Sequence, residues 1–265
     1  MKKNYLARTF LISATLMILS LLVGYFYSTY LISNLKKYYP VFNEKEGEYE
    51  LVKKRPKHWV SIKEVSNLGK WAIIISEDWA FYQHNGLDFN QIKDAMKDSI
   101  LEGRLVRGAS TITQQVVKNA LLNSEKSLFR KVIEAWLAYL SETKMSKEEI
   151  LEKYLNLVEL GDKIYGIREA SYFYFKKHPK NLEAKEAAFL AMLLPSPVRY
   201  AQSYKDKKLT DFAKEQIASI LFKLQQAKII TEEERISAES SYLSFEANLI
   251  PEESFFIDTE ILKVD

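Results

Sequence analysis

The sequence has no cysteine, only three histidines, and few helix-breaking residues, with eight glycines and six prolines among 265 residues. The lack of cysteine excludes a disulfide framework and cysteine-ligated zinc, and three scattered histidines argue against a metal site built on imidazole. Scarce glycine and proline, together with few alternating apolar and polar runs, leave little room for a sheet. We therefore predict a mainly α-helical fold.

The charge balance and the absent motifs exclude further functions. A formal net charge of +3 gives no reason to expect a nucleic-acid partner. Neither a G-x-G-x-x-G nor a Walker pattern occurs, so no nucleotide cofactor is expected. The two S-x-x-K matches, Ser33–Lys36 and Ser141–Lys144, are followed by no K-T-G triplet, which excludes a penicillin-binding acyl-enzyme domain.

The N-terminal segment Phe10–Ile32 carries no charged residue. As a helix it would be roughly 34 Å long, enough for a hydrocarbon core of about 30 Å. Basic residues before it place residues 1–9 in the cytoplasm and the body outside by the positive-inside rule, although two lysines after it weaken this orientation. The alternative is a cleaved signal peptide, which the length of the run and the lack of an Ala-x-Ala site disfavour. We predict a retained transmembrane anchor over residues 10–32.

The stretch Asn43–Lys57 is rich in charge and poorly periodic, which is typical of a tether, and we assign residues 33–58 to a linker. Helical patterns dominate after it. Several of them open with a Ser or Thr followed three residues later by Glu or Gln, the spacing of a capping box. These pairs are Ser61 with Glu64, Thr111 with Gln114, Ser146 with Glu149, and Thr231 with Glu234.

Two adjacent carboxylates, Glu77 and Asp78, directly follow the apolar run WAIIIS. A carboxylate that loses hydration against apolar side chains has a raised pKa and accepts a proton near neutral pH, as a catalytic base must. The alternative is that a helix or strand ends here and both acids face water. This stretch alone does not decide between the two.

The segment RGASTITQQVVKN, residues 107–119, is dense in hydroxyls, amides and cations. If Ser110 or Thr111 caps a helix, then one of the two glutamines and Lys118 follow on neighbouring turns of the same face. Free backbone amides at a helix start, together with a lysine, can bind phosphate. The alternative is an ordinary capped helix with a solvated polar face.

Three charged residues, Arg130, Lys131 and Glu134, lie away from the apolar stripe of their helix, which centres near Ile133 and Trp136. They form either an exposed ion pair, worth about 0.3–0.5 kcal/mol, or a cation cluster with an acid that lines a cleft. Periodicity does not choose between these interpretations.

From about Trp71 to Tyr200, the chain resembles the peptidoglycan glycosyltransferases of glycosyltransferase family 51, the murein polymerases, in their monofunctional membrane-anchored form. The resemblance rests on five stretches in order: SEDWAFYQHNGLD, RGASTITQQVVKN, RKVIE, KEEILEKYLN and LGDKIYGIREASYFYF. Each stretch alone has limited specificity, whereas GASTITQQ after the ED pair and just before RKxxE is very specific.

The resemblance implies a lysozyme-like helical lobe beside a small membrane-associated jaw near residues 89–107, with a cleft for lipid-linked disaccharide-peptide. We place the glycosyltransferase domain at 59–200 and expect 201–265 to be a helical extension with a tail. The implied reaction extends a glycan strand. The 4-hydroxyl of the acceptor lipid II attacks the anomeric carbon of the donor chain with inversion, and undecaprenyl diphosphate leaves.

The resemblance also implies roles for residues at matching positions. Glu77 matches the base that accepts the proton of the acceptor hydroxyl, and Glu134 matches a second essential acid. The residues that would receive the departing diphosphate are Lys118, Arg130 and Lys131. The residues that would shape the pocket are Ser110, Thr111, Gln114 and Gln115. The supporting residues are Asp78, Phe81, His84, Glu149 and Asn156.

Glu134 would orient the cations or hold a divalent ion, Mg²⁺ or Mn²⁺, between the diphosphate and the protein. The implied partners are lipid II, the lipid-linked glycan strand and the membrane, with other cell-wall synthesis proteins as further candidates. The implied location is the bacterial inner membrane, with the catalytic domain on the periplasmic side. The chain departs from the family pattern at two places, and we expect substrate binding to differ there. Trp79 and Ala80 replace a usual basic residue, and Lys163 stands where glycine is common.

Two other functions stay open at this point. A lytic transglycosylase or lysozyme-type hydrolase would share a helical lobe and a lone glutamate acid, but it expels a sugar and has no use for cations between Lys118 and Lys131. A catalytically silent membrane scaffold of cell-wall synthesis would need neither the base nor the cations.

Overall fold

The computed structural model describes the backbone of residues 2–103, 108–123, 125 and 127–249, and within these ranges the side chains of residues 8–246. The chain divides into two compact units. The first consists of Met1–Arg55 and Gln83–Ile150, and the second of Pro56–Tyr82 and Leu151–Asp265.

The first unit consists of helices and one hairpin. Its elements are α1 (Lys2–Lys37), β1 (Tyr39–Asn43), β2 (Glu48–Val52), α3 (Phe89–Glu102), α4 (Ile112–Leu121), α5 (Leu128–Lys144) and the start of α6 (Lys147–Leu157). Helix α4 packs against α5 and against β2, and α1 packs against α5. The core of this unit therefore lies around α4 and α5, the two helices that carry most of the predicted polar site residues.

Helix α1 is apolar and largely exposed until its last turns. Its segment Arg8–Lys37 is long and apolar enough to cross a membrane. Near its end, Ile32 and Leu35 are fully buried, and Lys36 Nζ donates to the Lys144 carbonyl at the end of α5 at 2.7 Å. A cation at a helix C-terminus is favourable because the unpaired carbonyls there carry partial negative charge. The last turns of α1 are thus part of the folded unit.

Within the segment assigned to a linker, residues 33–58, the chain continues α1 as far as Lys37 and then forms an antiparallel hairpin that ends at Val52. Strands β1 and β2 pair from Tyr39 opposite Val52 to Asn43 opposite Glu48. The Asn43 side chain accepts hydrogen bonds from the backbone of the loop, where Gly47 takes a φ of +69°. Asn43 and Gly47 are residues that commonly form hairpin loops. They were not recognised as a turn because the residues between them are charged.

The described part of the second unit consists mainly of helices, with an isolated β-bridge between Glu159 and Tyr165. Its elements are α2 (Asn67–Glu77), the rest of α6, α7 (Ile167–Phe175), α8 (Ala184–Leu193), α9 (Pro197–Tyr200), α10 (Gln202–Lys205), α11 (Asp211–Gln226) and α12 (Glu232–Ser240), with 3₁₀ turns at Ile62–Glu64, Pro179–Asn181 and Ser244–Leu249. Helix α8 is apolar on nearly all sides and buried from Lys185 to Leu193, as expected of a central helix. It packs against α2, α11 and α12.

The C-terminal extension is integrated into the second unit as far as Glu246. Lys185 Nζ donates to the carbonyls of Glu239 and Ser241 near the end of α12. Burial lowers the pKa of Lys185, and the nearby carboxylates Glu246 and Glu239 partly offset this effect. Glu246 is itself buried and accepts hydrogen bonds from two backbone amides. Residues 250–265, at the end of the segment predicted as a helical extension with a tail, lie outside the described residues.

The predicted fold class, mainly α-helical with one N-terminal apolar helix, is confirmed. All four predicted capping boxes are present. The one formed by Ser61 and Glu64 begins a short 3₁₀ turn, whereas the other three begin α-helices. The predicted anchor over 10–32 lies within the longer helix α1. The predicted jaw over 89–107 corresponds to α3 and the residues after it, of which 104–107 lie outside the described residues.

The buried end of α1 leads to a stability prediction. Replacing Leu35 by Ala should lower the free energy of unfolding by about 2–5 kcal/mol, because it leaves a cavity in the first unit. Leu21→Ala, on the same helix but at a position that is 65% exposed, should change it by less than about 0.5 kcal/mol. Thermal unfolding of the full chain in detergent micelles measures both values. Equal shifts for the two variants would contradict the packing described for α1.

Candidate active site

The carboxylate of Glu134, in the second turn of α5, is the centre of a polar cluster in the first unit. Glu134 is only 1% exposed. It accepts hydrogen bonds from Gln114 Nε2 at 3.2 Å and from Arg130 Nη1 at 3.4 Å, and it forms an ion pair with Lys131. Lys131 Nζ also donates to Ser110 Oγ at 2.9 Å. A buried carboxylate is stable only when it is paired and hydrogen-bonded in this way.

The start of α4 explains why a threonine and a glutamine occur at this spacing. Thr111 Oγ1 accepts from the Gln114 backbone N–H, and Gln114 Oε1 accepts from the Thr111 backbone N–H, both at 3.1 Å. This capping box leaves the side-chain NH₂ of Gln114 free to donate to Glu134. The helix cap therefore fixes one of the hydrogen-bond donors of the cluster.

The cluster has an excess of positive charge. Glu134 contributes one negative charge, whereas Arg130 and Lys131 contribute two positive ones, with side chains 18% and 47% exposed. The Arg130 Nε is buried and has no hydrogen-bond partner within the described part of the chain. A partly exposed excess of cationic donors can receive an anion, and guanidinium groups suit phosphate oxygens well. The i,i+4 pair of Arg130 and Glu134 is present but is not exposed, and the lining of a cleft by these residues stays a prediction.

Two other predicted residues lie on α4 itself. Lys118 is exposed and Gln115 is half-buried. The first unit thus brings Ser110, Thr111 and Gln114 together with the three charged residues of α5, and it places Lys118 one turn further along α4 from Gln114.

The loop His84–Asp88 packs closely on both helices. Thr111 Oγ1 donates to the Gly86 carbonyl at 2.7 Å, and the Gly86 N–H donates to His84 Nδ1 at 3.2 Å. Gly86 has a φ of +87°, and a Cβ at this position would lie 2.7 Å from the Ala138 carbonyl oxygen of α5. Only glycine allows this backbone conformation at this distance from α5. His84, predicted as a supporting residue, has a local role in the loop.

Three residues that the sequence analysis missed extend this network. Thr113 Oγ1 donates to Glu142 Oε1 at 2.6 Å. Lys147 Nζ forms an ion pair with the same oxygen at 2.7 Å and donates to the His84 carbonyl at 2.7 Å. Lys147 is the first residue of KEEILEKYLN, one of the five stretches on which the family resemblance rests, so its position in this stretch could have marked it as a candidate. Glu142 gave no comparable signal, because its partners lie on other elements.

Glu77, Asp78 and Phe81 belong to the second unit. Glu77 is the last residue of α2 and is half-buried. Asp78 follows as the helix C-cap and is 1% exposed, and Phe81 is fully buried. A helix does end here, but the more buried acid is Asp78, and neither acid is fully exposed. The role of Glu77 as a base stays a prediction.

The remaining predicted residues have structural contacts. Glu149 accepts from the Ser146 backbone N–H at 2.8 Å and lies 3.5 Å from Lys36 Nζ. Asn156, in the second unit, is buried and exchanges hydrogen bonds of 2.8 Å with both the N–H and the carbonyl of Val60. These contacts are consistent with support of the fold.

The two departures from the family pattern have different surroundings. Trp79 is 51% exposed. Lys163 has a φ of +58°, a left-handed conformation that costs a non-glycine residue roughly 1–2 kcal/mol. A glycine at this position would avoid this cost. Nearby, burial and the charge of Asp162 raise the pKa of Glu159, and a hydrogen bond from the Lys163 backbone partly offsets them.

The family model for transglycosylases matches residues 45–225. The chain therefore belongs to the transglycosylase family. The match extends beyond the predicted domain of residues 59–200 at both ends, and it includes β2 and α11.

Curated relatives support this assignment. The chain is 40% identical over 150 residues to a biosynthetic peptidoglycan transglycosylase of Acinetobacter baylyi, covering 57% of this chain and 67% of the relative. It is 46% identical over 142 residues to the protein of the same name from Shewanella amazonensis, covering 54% of this chain and 58% of the relative.

The chain was also compared with solved structures. It is similar to penicillin-binding protein 1A from Haemophilus influenzae at 26% identity, with a TM-score of 0.32. The match covers 51% of this chain and 17% of that protein.

The conformation of Gly86 leads to a second stability prediction. Gly86→Ala should destabilise the protein by more than about 2 kcal/mol, because it combines an unfavourable positive φ with a clash against the α5 backbone. Gly108→Ala is the matched control, since a Cβ there would meet no atom within 4 Å. Denaturant unfolding of both variants gives the two free energies. A Gly86→Ala protein as stable as the control would show that the loop does not pack on α5 as described.

Proposed function

We propose that this protein is a peptidoglycan glycosyltransferase that polymerises lipid II into glycan strands with inversion and releases undecaprenyl diphosphate. The observation that carries the proposal is the cluster around Glu134, in which two cations and a glutamine amide surround one buried carboxylate. Membership of the transglycosylase family and the names of the curated relatives support the same reaction.

The chemistry of the leaving group makes such a cluster useful. A diphosphate leaves as an anion, so the reaction needs donors that stabilise developing negative charge more than it needs a strong general acid. Arg130, Lys131 and Lys118 would bind the diphosphate oxygens. Glu134 would hold the first two of these cations in place, because its oxygens accept hydrogen bonds from both. A hydrolase that expels a sugar has no comparable need, and nothing observed favours that alternative.

We assign the proton transfer to Glu77. In the proposed reaction, Glu77 takes the proton from the 4-hydroxyl of the acceptor as the oxygen attacks the anomeric carbon of the donor. The position of Glu77 at the end of α2, half-buried next to the buried Asp78, supports a carboxylate with reduced hydration. The rigid packing of α2 against α8 and α11 would keep the base in place.

A divalent ion held between Glu134 and the diphosphate stays a prediction. Mg²⁺ and Mn²⁺ prefer oxygen ligands, usually including carboxylates. The Glu134 oxygens already accept from an amide and two cations, and no group of three or more potential metal ligands occurs among the described residues. We therefore assign no step of the mechanism to a metal.

We propose that α1 anchors the protein in the bacterial inner membrane, with its N-terminus in the cytoplasm and the two units on the outer side. The burial of Ile32 and Leu35 in the first unit supports a retained helix over a cleaved signal peptide. Exposed apolar side chains on α3 support the membrane contact expected for the jaw. These side chains are Phe89, Met96, Ile100 and Leu101. The substrates would be lipid II and the lipid-linked strand.

A polymerisation assay tests the proposed function. Purified full-length protein incubated with labelled lipid II should give a ladder of glycan products that moenomycin suppresses. Cleavage of finished glycan without polymer would support a hydrolase instead, and no activity in either assay would support a silent scaffold.

Replacing Glu77 by Gln tests the base. The change keeps the size of the side chain but removes the negative charge and the proton acceptor, so polymerisation should fall by at least about 100-fold while the unfolding temperature changes little. Glu215→Gln, on an exposed position of α11 in the same unit, is the matched control and should retain full activity. A fully active Glu77→Gln variant would show that another group takes the proton.

A further inference from the structure

A partly buried ion pair lies outside the cluster around Glu134 but in the same unit. Glu142, in the last turns of α5, and Lys147, at the start of α6, are linked at 2.7 Å, with side chains only 5% and 17% exposed. The same Glu142 oxygen accepts from Thr113 at 2.6 Å, and Thr113 is fully buried on α4. The pair therefore joins the end of α5 and the start of α6 to the first turn of α4.

Lys147 connects this pair to the loop His84–Asp88. Its Nζ donates to the His84 carbonyl at 2.7 Å, while the Gly86 carbonyl two residues later accepts from Thr111 Oγ1. The hydroxyl of Thr111 has one hydrogen to donate. Because it donates this hydrogen to Gly86, its lone pairs face the Gln114 N–H that it caps.

The hydrogen bonds continue from this cap to the charged cluster. Gln114 uses its Oε1 for the Thr111 N–H and its Nε2 for Glu134. Glu134 in turn accepts from Lys131 and Arg130. The network thus runs without interruption from the loop carbonyls to the cations, and Glu142 and Lys147 fix it at two places, on α4 and on the loop.

We propose that Lys147 and Glu142 form a positioning pair for the glycosyl transfer. The pair acts through the loop and the cap of α4 and keeps Gln114 and Glu134 within hydrogen-bonding distance of their partners in the cluster. This inference rests on the proposed function. The contacts described above link both residues to the cluster through Thr113, the loop and the cap of α4, so we assign them a positioning role and not a catalytic one. Their loss should impair the transition state more than substrate binding, because the pair acts on the groups that would stabilise the charge developing on the departing diphosphate.

Steady-state kinetics of Lys147→Met test this role. We expect kcat to fall by about 10- to 100-fold, since small misplacements of catalytic groups cost this much, with KM for lipid II nearly unchanged. Lys147→Arg keeps the charge and the donors and should restore most of the turnover. Because Lys147→Met leaves the partly buried Glu142 without its cation, the double variant Glu142→Gln/Lys147→Met, which removes both charges, provides a second folded protein with the same predicted loss.

Lys177→Met is the matched control. Lys177 is 33% exposed in the second unit and pairs with Glu183 at 2.7 Å and Glu186 at 2.9 Å. Burial lowers its pKa, but hydrogen bonds and charge from Glu183 and Glu186 outweigh this effect and raise it overall. Its loss should lower the unfolding temperature without lowering kcat. The positioning role is overturned if Lys147→Met and Lys177→Met lose the same share of kcat, if only KM changes, or if Lys147→Arg fails to rescue turnover.

Hydrogen exchange separates this inference from the proposed function. In Lys147→Met, the backbone amides of Gly86 and Gln114 should exchange faster, because each donates within the loop or the cap, while the second unit stays unchanged. Unchanged exchange at both amides would overturn the positioning role. If wild-type protein makes no polymer, the proposed function fails, and the exchange result still decides whether the ion pair holds the loop and the cap.

Discussion

A carboxylate that is almost wholly removed from water has to be compensated, and the compensation of Glu134 determines the polar side of the first unit. Its partners come from two helices, with Gln114 on α4 and with Arg130 and Lys131 on α5. Removing one partner of a buried pair typically costs about 3–5 kcal/mol. The cap of α4, the loop at Gly86 and the first turn of α5 can therefore be understood as parts of one arrangement that keeps this acid paired and leaves a positive excess for an anion.

How much could be predicted from the sequence depended on how local the interactions are. The capping pair Thr111 and Gln114 and the cations one turn from Glu134 follow from helical spacing, so their neighbourhood was predictable. The pair Glu142 and Lys147 links the ends of two helices to a third, and no periodicity encodes such a contact. The hairpin was missed because charged residues in and around its turn concealed the short apolar alternation of its strands.

The stretch SEDWAFYQHNGLD shows a further limit of motif reading. Its residues up to Tyr82 belong to the second unit, and those from Gln83 onward belong to the first. Glu77 therefore depends on the packing of α2 with α8 and α11, whereas His84 and Gly86 depend on α4 and α5. Residues of one contiguous motif are therefore held by the packing of two different units. Of the two acids that follow the apolar run, Asp78 is buried and Glu77 is half-buried.

The most direct measurement is the single-turnover rate of lipid II polymerisation by Glu134→Gln, with its unfolding temperature determined on the same sample. The side chain of this variant still fills the space but no longer attracts Arg130 and Lys131, so the account predicts a folded protein whose rate is lower by at least about 100-fold. A folded variant that polymerises at nearly the wild-type rate would contradict the claim that this buried acid organises the cations for the departing diphosphate.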